Sequence, residues 1–258
     1  MTAAPVLFPA RHLGDAELTA NRDAGKIGEN AEKEKIMDTG RLVIVEGLPA
    51  SGKSTAASRI AAMLEDRGNR VICWDEGVPG HPADYDNYDF PDFKTEREKI
   101  LEKWRQFVQT AQEDTTYVFN CIFLQNPMCE TMMRFDLTEE ESCAYICEIA
   151  EIIRPMNPRI LYLNQENVKT AVDGVLQERS DGWLNAVIAY HVEQGYGRRL
   201  GLSGYDGYLA CLEERRSREL RILEHTALDH RILNARPSEA ELACAMELLR
   251  TPVGKNAK

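Results

Sequence analysis

The sequence lacks the features of a membrane or secreted protein. No apolar run approaches the length needed to cross a bilayer, and the N-terminus carries Arg11, Asp15 and Glu17 where a secretory signal needs an apolar core. The seven cysteines are odd in number and include no C-x-x-C pair, which suits a reduced compartment better than a disulfide framework. We therefore expect a cytoplasmic protein without a membrane partner.

Positive charge is also scarce. The 258 residues include 31 Lys and Arg against 42 Asp and Glu, which gives a formal net charge of −11. A surface of this sign repels the phosphates of nucleic acids, so no nucleic-acid partner is expected. Cys143 and Cys147 stand one helical turn apart, but no third Cys or His lies nearby at zinc-site spacing, and a structural metal is not expected.

The chain divides into a polar leader and one domain. Residues 1–38 are charged and broken by glycine, which predicts an N-terminal extension that is either loosely packed or a partner-binding arm. In residues 39–258, apolar runs alternate with helical patterns, as is typical of a parallel sheet wound with helices. The five runs predicted as strands are 41–46, 70–74, 116–123, 159–163 and 229–234.

Three helix starts are predicted from capping boxes. In this device a Ser or Thr and a Glu three positions later each bond the other's backbone N–H. Pro155 is expected to end the second of these helices near Ile153, because proline cannot continue the helical hydrogen bonds. The predicted pairs are Thr95 with Glu98, Thr138 with Glu141, and Ser238 with Glu241.

The most specific motif is GLPASGKS at residues 47–54, which fits the phosphate-binding pattern G-x-x-x-x-G-K-[ST] directly after the first strand. In such a P-loop the backbone N–H groups converge on the β-phosphate, the lysine reaches the β and γ oxygens, and the serine hydroxyl ligates Mg²⁺. The chain is therefore expected to bind a nucleoside triphosphate. The expected binding residues are Gly47, Pro49, Ala50, Ser51, Gly52, Lys53, Ser54 and Thr55.

Two acids follow the second predicted strand. In open α/β sheets, ligands collect beyond the carboxyl ends of the strands, so these residues are candidates for the site. A carboxylate there can accept the proton of a hydroxyl that attacks the γ-phosphate, and it can also help Ser54 to hold Mg²⁺. Glu76 is the preferred base and Asp75 the alternative, and Lys53 joins them in the expected catalytic set.

Two segments break the rhythm of strands and helices. Residues 193–208 hold five glycines around Arg198 and Arg199, which predicts a mobile lid at about 178–208 whose arginines offset charge on the transferring phosphoryl group. Residues 81–90 are rich in acids and in aromatic rings, which could stack on an acceptor or complete a core. The expected acceptor-binding residues are His81, Tyr85, Tyr88, Asn120 and Gln125.

Taken together, these elements resemble the P-loop kinases of the thymidylate kinase and deoxynucleoside kinase group. The resemblance covers about residues 41–250 and includes a helix that ends at Arg179 and the segment 232–239. It implies a P-loop NTPase fold with five parallel strands in the order 2-3-1-4-5, helices on both faces, and Mg-ATP as donor. It also implies a lid arginine at Arg179 and an adenine site near Ala235, Arg236 and Pro237.

The third strand departs from this group. Its members carry an Asp-Arg or Glu-Arg pair where this chain has Asn120 and Cys121. Asn120 cannot supply a charge to Mg²⁺, so either Asp75 or Glu76 substitutes for the missing acid, or metal binding and catalysis are impaired. The missing arginine favours an acceptor that bears a hydroxyl over one that bears a phosphate.

These features predict an ATP-dependent kinase that transfers the γ-phosphate to a hydroxyl of a small molecule. Nucleosides, nucleoside-like antibiotics and other metabolites all remain open as acceptors. The alternative is a P-loop ATPase or regulatory nucleotide-binding module without a small-molecule acceptor. A guanine-specific switch is disfavoured, because the chain lacks the N-K-x-D motif. The oligomeric state stays open, with a homodimer as one option.

Overall fold

The computed structural model of the protein describes residues 41–85, 90–176 and 181–250. The expected N-terminal extension, residues 1–38, lies outside these ranges, as do the site candidates Tyr88 and Arg179.

The described part of the chain contains a five-stranded parallel sheet with the strand order β2-β3-β1-β4-β5. This confirms the predicted architecture and order. The three inner strands are buried apolar runs, because helices cover both of their faces, whereas β2 and β5 form partly exposed edges. The strands are β1 Leu42–Gly47, β2 Arg70–Trp74, β3 Thr115–Asn120, β4 Pro158–Asn164 and β5 Asp229–Asn234.

Helices connect the strands and pack on both sides of the sheet. A π-helical turn, Cys129–Arg134, continues the third helix, and a 3₁₀ turn, Arg154–Met156, follows the fourth. The helices are α1 Lys53–Asp66, α2 Phe93–Thr110, α3 Gln125–Met128, α4 Glu139–Ile153, α5 Val168–Leu176, α6 Asp181–Val192, α7 Gly195–Arg199, α8 Gly204–His225 and α9 Glu239–Arg250.

Two hydrophobic layers fix the sheet between the helices. Alternate residues of a strand point to opposite faces. Ile44 of β1 therefore belongs to the layer that contains Trp104 of α2, while Val45 belongs to the layer that contains Ile60 of α1 and Leu242 of α9. The carboxyl ends of the strands emerge from this three-layer packing at one edge of the sheet.

Two of the three predicted helix starts are confirmed. Both reciprocal bonds of the Thr138 box are present, and those of the Ser238 box are present as well. The Thr95 prediction is wrong, because Asp92 accepts the Thr95 N–H at 2.8 Å and caps α2 three residues earlier than predicted. The fourth helix ends at Ile153, as predicted from the proline that follows.

The third strand ends earlier than predicted. Cys121 and Ile122 take positive φ angles of 57° and 86°, which residues with side chains rarely adopt. The buried Glu46 carboxylate accepts the N–H groups of Phe123 and Leu124, both at 2.8 Å, and so holds the turn. Backbone strain of this kind costs about 1–3 kcal/mol per residue and is often found at functional sites.

Membrane spans, disulfides and metal clusters are all absent from the described ranges. None of their helices combines the length and apolar character that a bilayer span requires. All seven cysteines lie there as free thiols, and the Sγ atoms of Cys143 and Cys147 are 4.0 Å apart. The same ranges hold no group of three His, Cys, Asp or Glu side chains arranged to bind a metal.

Candidate functional site

The loop 47–52 between β1 and α1 has a backbone that only glycine permits at two positions. Gly47 and Gly52 have φ angles of 141° and 93°. A Cβ on Gly47 would lie 2.5 Å from the Leu163 carbonyl oxygen and 2.9 Å from Ser51 Oγ, so no side chain fits. No side chain caps α1, and its first amides are therefore left for a ligand.

The Lys53 ammonium folds back onto this loop. Its Nζ donates to the carbonyl oxygens of Gly47 at 2.9 Å and Leu48 at 3.1 Å. Ser51 Oγ is buried beside it without a hydrogen-bond partner. The ammonium, the uncapped amides and the unpaired hydroxyl together fit the β- and γ-phosphates of a nucleoside triphosphate.

Three oxygen-bearing side chains meet next to the loop. Asn120 Nδ2 donates to Ser54 Oγ at 2.9 Å and to the Asp75 carboxylate. Asn120 Oδ1 is buried without a partner. The Ser54 hydroxyl and the Asp75 carboxylate are hard ligands of the type that Mg²⁺ prefers, with phosphate oxygens and water completing its shell. The residues present therefore fit the metal. Of the two candidate acids, Asp75 is the one that shares a bonding partner, Asn120, with Ser54.

Glu76 bonds a different set of side chains from Asp75 and is buried. Its carboxylate accepts from Gln125 Nε2 and from Cys121 Sγ, and only 7% of the residue is exposed. Burial raises the pKa of Glu76 above its ordinary value, although the nearby Lys53 charge and the two hydrogen bonds oppose the shift. A carboxylate with a raised pKa is a stronger proton acceptor, so Asp75 and Glu76 are suited to different tasks.

A buried polar chain runs behind Glu76. Gln125 Oε1 accepts from Arg215 Nη2 at 3.5 Å, and Arg215 Nε donates to Glu219 at 2.6 Å. The Tyr162 hydroxyl donates to the other oxygen of Glu219 at 2.8 Å. Sequence reasoning missed Arg215, because a charged pair four residues apart on a helix usually lies on a solvated face. This pair is buried and orients the amide that holds Glu76.

Two of the expected acceptor-binding rings belong to the core instead. The Tyr85 hydroxyl donates to Glu96 at 2.9 Å and lies 3.2 Å from the Tyr145 hydroxyl. The buried His81 ring packs edge-on against Phe119, with 4.6 Å between the ring centroids. Tyr85 and His81 are both buried, so in this structure they complete the core, which is the other role predicted for the rings of this segment.

The segment expected to be a flexible lid is helical where it is described, in α6, α7 and the start of α8. Two of its glycines, Gly195 and Gly197, allow close packing. A Cβ on Gly195 would lie 2.1 Å from the Met133 carbonyl oxygen, and one on Gly197 would lie 2.2 Å from the His191 carbonyl oxygen. Gly195 and Gly197 therefore bring backbones together, whereas a Cβ added to Gly201 or Gly204 would meet nothing within 4 Å. The mobile lid stays a prediction.

The two arginines of α7 are turned to other partners or to solvent. Arg199 Nε donates to Asp136 at 2.6 Å, and its guanidinium lies 5.3 Å from the centre of the Tyr196 ring. Arg198 is exposed. Within the described part of the chain neither arginine bonds the P-loop, so the structure does not bring these two predicted residues together with Lys53.

The turn at residues 235–237 does contact the P-loop. The Arg236 backbone N–H donates to the Ser51 carbonyl at 2.7 Å, and its Nε donates to the Ala50 carbonyl at 3.3 Å. Arg236 has a φ angle of 54°, so its backbone is shaped for this contact. The turn predicted to lie near adenine thus packs against the middle of the P-loop.

One further cation lies at this edge and was missed. Arg216 of α8 donates through Nη1 to Asn164 Oδ1 at 3.1 Å, at the last residue of β4. In the sequence it belongs to the run EERRSRELR, whose many charges look like an ordinary exposed helix face. Because residues four positions apart lie on the same face of a helix, Arg216 could have been placed on the face of Leu212, which is buried.

Comparison with known proteins gives one partial family match and two similar structures. The family model of the chromatin associated protein KTI12 matches residues 41–119. The chain is similar to the YorR protein of Bacillus subtilis in complex with phosphorylated GDP and to deoxyadenosine kinase from M. mycoides with bound dATP. Each is 16% identical with a TM-score of 0.43 and covers 81% of this chain, and the alignments span 94% and 100% of those two chains.

No curated protein matches the chain significantly. The strand order and the P-loop geometry place it in the P-loop NTPase fold.

Proposed function

We propose that the protein is an ATP-dependent kinase that transfers the γ-phosphate of Mg-ATP to a hydroxyl of a small molecule. The observation that carries this proposal is the pairing of a triphosphate cradle after β1 with a buried carboxyl after β2, at the same edge of the sheet. Glu76 is close enough to the Lys53 ammonium for the two charges to interact. A nucleotide-binding loop alone would not require such an acid.

Different residues bind the phosphates and accept the proton during phosphoryl transfer. Lys53 and the first amides of α1 hold the β and γ oxygens, and Glu76 accepts the proton of the attacking hydroxyl. A bond forms between the acceptor oxygen and the γ-phosphorus, the bond from that phosphorus to the bridging oxygen breaks, and ADP leaves. Mg²⁺ held by Ser54 and Asp75 would neutralise charge on the phosphates when it is bound.

The polar groups around Glu76 favour an uncharged acceptor. Asn126 Nδ2 donates to the buried Asp84 at 2.9 Å, so carboxylates and carboxamides line this side. The Arg215 guanidinium, which bonds Gln125, is committed to Glu219. The two nearby ammonium groups already have partners, since Lys103 Nζ donates to the Asp84 carbonyl at 2.6 Å and Lys53 Nζ to the carbonyls of its own loop, whereas a hydroxyl would find acceptors here. Nucleosides, nucleoside-like antibiotics and other polyhydroxylated metabolites fit this chemistry.

A regulatory ATPase or nucleotide-binding module is the second candidate. Two observations favour it: residues 41–119 match the family model of a chromatin associated protein, and Asn120 stands where an acid would support the metal. In that case water, or no acceptor, takes the place of the hydroxyl substrate.

ADP release measured with and without a panel of hydroxyl-bearing metabolites separates these candidates. We expect acceptor-dependent release together with a phosphorylated product detected by mass spectrometry. Steady release in water alone would support an ATPase, and the absence of release would support a binding module.

The matched variant for this assay is Lys53→Ala. Its ammonium bonds only the carbonyls of its own loop, so its removal should leave the fold intact and lower turnover by at least ~100-fold. The circular dichroism spectrum and the unfolding midpoint should stay close to those of the wild type. Full phosphotransfer by this variant would overturn the proposed role of the P-loop.

A further inference from the structure

One arginine at the carboxyl edge of the sheet is tied in place with part of its guanidinium unbonded. Arg216 donates through Nη1 to Asn164 at 3.1 Å and through Nη2 to Glu213 at 3.5 Å. Its Nε is buried and has no hydrogen-bond partner. A buried donor without an acceptor costs about 1–3 kcal/mol, so an anionic ligand at this position would remove a penalty.

Two contacts locate this side chain beside the first residues of the P-loop. Asn164 follows Leu163, whose carbonyl oxygen lies against Gly47. Leu212 lies one helical turn before Arg216 on the same face of α8, and it packs in one buried cluster with Leu48. The guanidinium is therefore anchored from β4 and from α8 at the Gly47–Leu48 end of the loop.

This end of the loop is also where the Lys53 ammonium lies. Nζ of Lys53 bonds the carbonyls of Gly47 and Leu48, and a P-loop lysine reaches the β and γ oxygens. The other arginine at the loop, Arg236, bonds the Ala50 carbonyl near the middle of the loop. The two arginines thus lie at different parts of the P-loop.

We infer that Arg216 contacts the γ-phosphate of bound ATP and stabilises the charge that builds on it during transfer. The inference rests on the proposed function, because it takes ATP as the ligand of the P-loop. It assigns to α8 the task that sequence reasoning gave to the arginines around residue 198. The guanidinium contributes through its fixed position, so no movement of α7 is required.

Equilibrium binding of ATP and ADP, measured by competition with a fluorescent nucleotide, tests this role without reference to turnover. Arg216→Met should weaken ATP binding by about 10- to 30-fold and ADP binding by less than ~2-fold, because ADP lacks the γ-phosphate. Arg216→Gln keeps a donor for Asn164 and removes the charge, so it should show the same selective loss even if the Met variant folds poorly. Arg221→Met serves as the matched control, since that arginine lies on the same helix and pairs with Glu139 at its surface.

The outcomes separate this inference from the proposed function. Equal losses for ATP and ADP, or no loss for either, would overturn the role of Arg216 and show that it only ties α8 to β4. If Lys53→Ala leaves both nucleotide affinities unchanged, the P-loop does not hold the phosphates, and both the proposed function and this inference are lost. Loss of both affinities in Lys53→Ala with a selective loss in Arg216→Gln supports the two together.

Discussion

Single side chains decide how the metal and the proton are handled, and Asn120 is the most informative of them. Its amide bridges Ser54 and Asp75, so the variant Asn120→Asp would set two carboxylates against each other. We expect the metal-free variant to lose about 1–2 kcal/mol of stability, and added Mg²⁺ to restore more stability to it than to the wild type. Thermal unfolding with and without MgCl₂ measures both effects.

Asn126→Asp is the matched control for this variant. It also turns a carboxamide that bonds a buried carboxylate into a second acid, but its partner is Asp84 and it has no bond to Ser54. It should lose stability without gaining any response to Mg²⁺. An equal response in the two variants would mean that Asn120 does not lie at a metal site.

Glu76 yields a prediction about rate and pH. Replacing it with Gln should slow transfer by about 10²–10³-fold and change ATP affinity less than ~3-fold, because the carboxylate acts on the acceptor proton. Burial raises the pKa of Glu76, so the wild-type rate should rise with pH as this group loses its proton, and the rise should be absent in the variant. Kinetics from pH 5 to 9 test this, and an unchanged rate in the Gln variant would move the role to Asp75.

At the level of helices and loops, the close contact between α7 and the π-helical turn is the sharpest constraint. Gly195 and Gly201 both have positive φ angles, of 41° and 65°, but only Gly195 has a neighbour within 4 Å of an added Cβ. Both Ala variants should carry backbone strain of about 1 kcal/mol, and Gly195→Ala should lose a further ~1–3 kcal/mol through its clash with Met133. Urea unfolding of the two variants gives the difference directly. Similar losses in both would show that α7 moves away freely.

The difference between local and long-range contacts explains which features of the strands and helices could be predicted from the sequence. Strand positions, the P-loop and the two boxes at Thr138 and Ser238 follow from neighbouring residues, so they could be predicted. The early end of β3 depends on Glu46, which reaches across from another strand to hold Phe123. The role of Gly195 depends on a carbonyl more than 60 residues away, and no local pattern distinguishes a glycine needed for contact from one needed for motion.

For the site, the local sequence predicted the P-loop but not all of the residues that surround it. Lys53 and Ser54 are fixed by a short motif, and Asp75 follows a strand whose end could be predicted. Arg215 and Arg216 could not be singled out, because adjacent charges on a helix look alike until the packing of α8 is known. The structure buries Arg215 and ties Arg216 to β4.

Across the whole molecule, one buried acid links stability to pH. Glu96 is fully buried between α2 and the core, where burial raises its pKa to about 9 from an ordinary value of 4.5, with the charge of Glu130 adding to the shift. The folded protein keeps this proton over a pH range in which the unfolded chain has lost it. Stability should therefore fall as the pH rises through that range and level off above pH 9.

The variant Glu96→Gln removes this dependence, because Gln resembles the protonated acid and never ionises. It should be more stable than the wild type by about 1–3 kcal/mol at pH 8 and nearly equal to it at pH 4.5. Chemical denaturation at several pH values measures the trend, with the exposed Glu98→Gln on the same helix as control. A constant difference across the pH range would mean that Glu96 is not protonated in the folded state.

The contact between the turn at Arg236 and the P-loop also has a meaning for protein synthesis. The bonded atoms belong to Arg236 and Ala50, which are 186 positions apart. The motif therefore leaves the ribosome long before the turn that packs on it has been translated. A nascent chain, or a fragment that stops before β5, contains every residue of the phosphate-binding pattern but lacks the turn that packs on the loop. In such a chain the motif is present without the complete pocket, and nucleotide is expected to act as a folding ligand only after residue 236 has been translated.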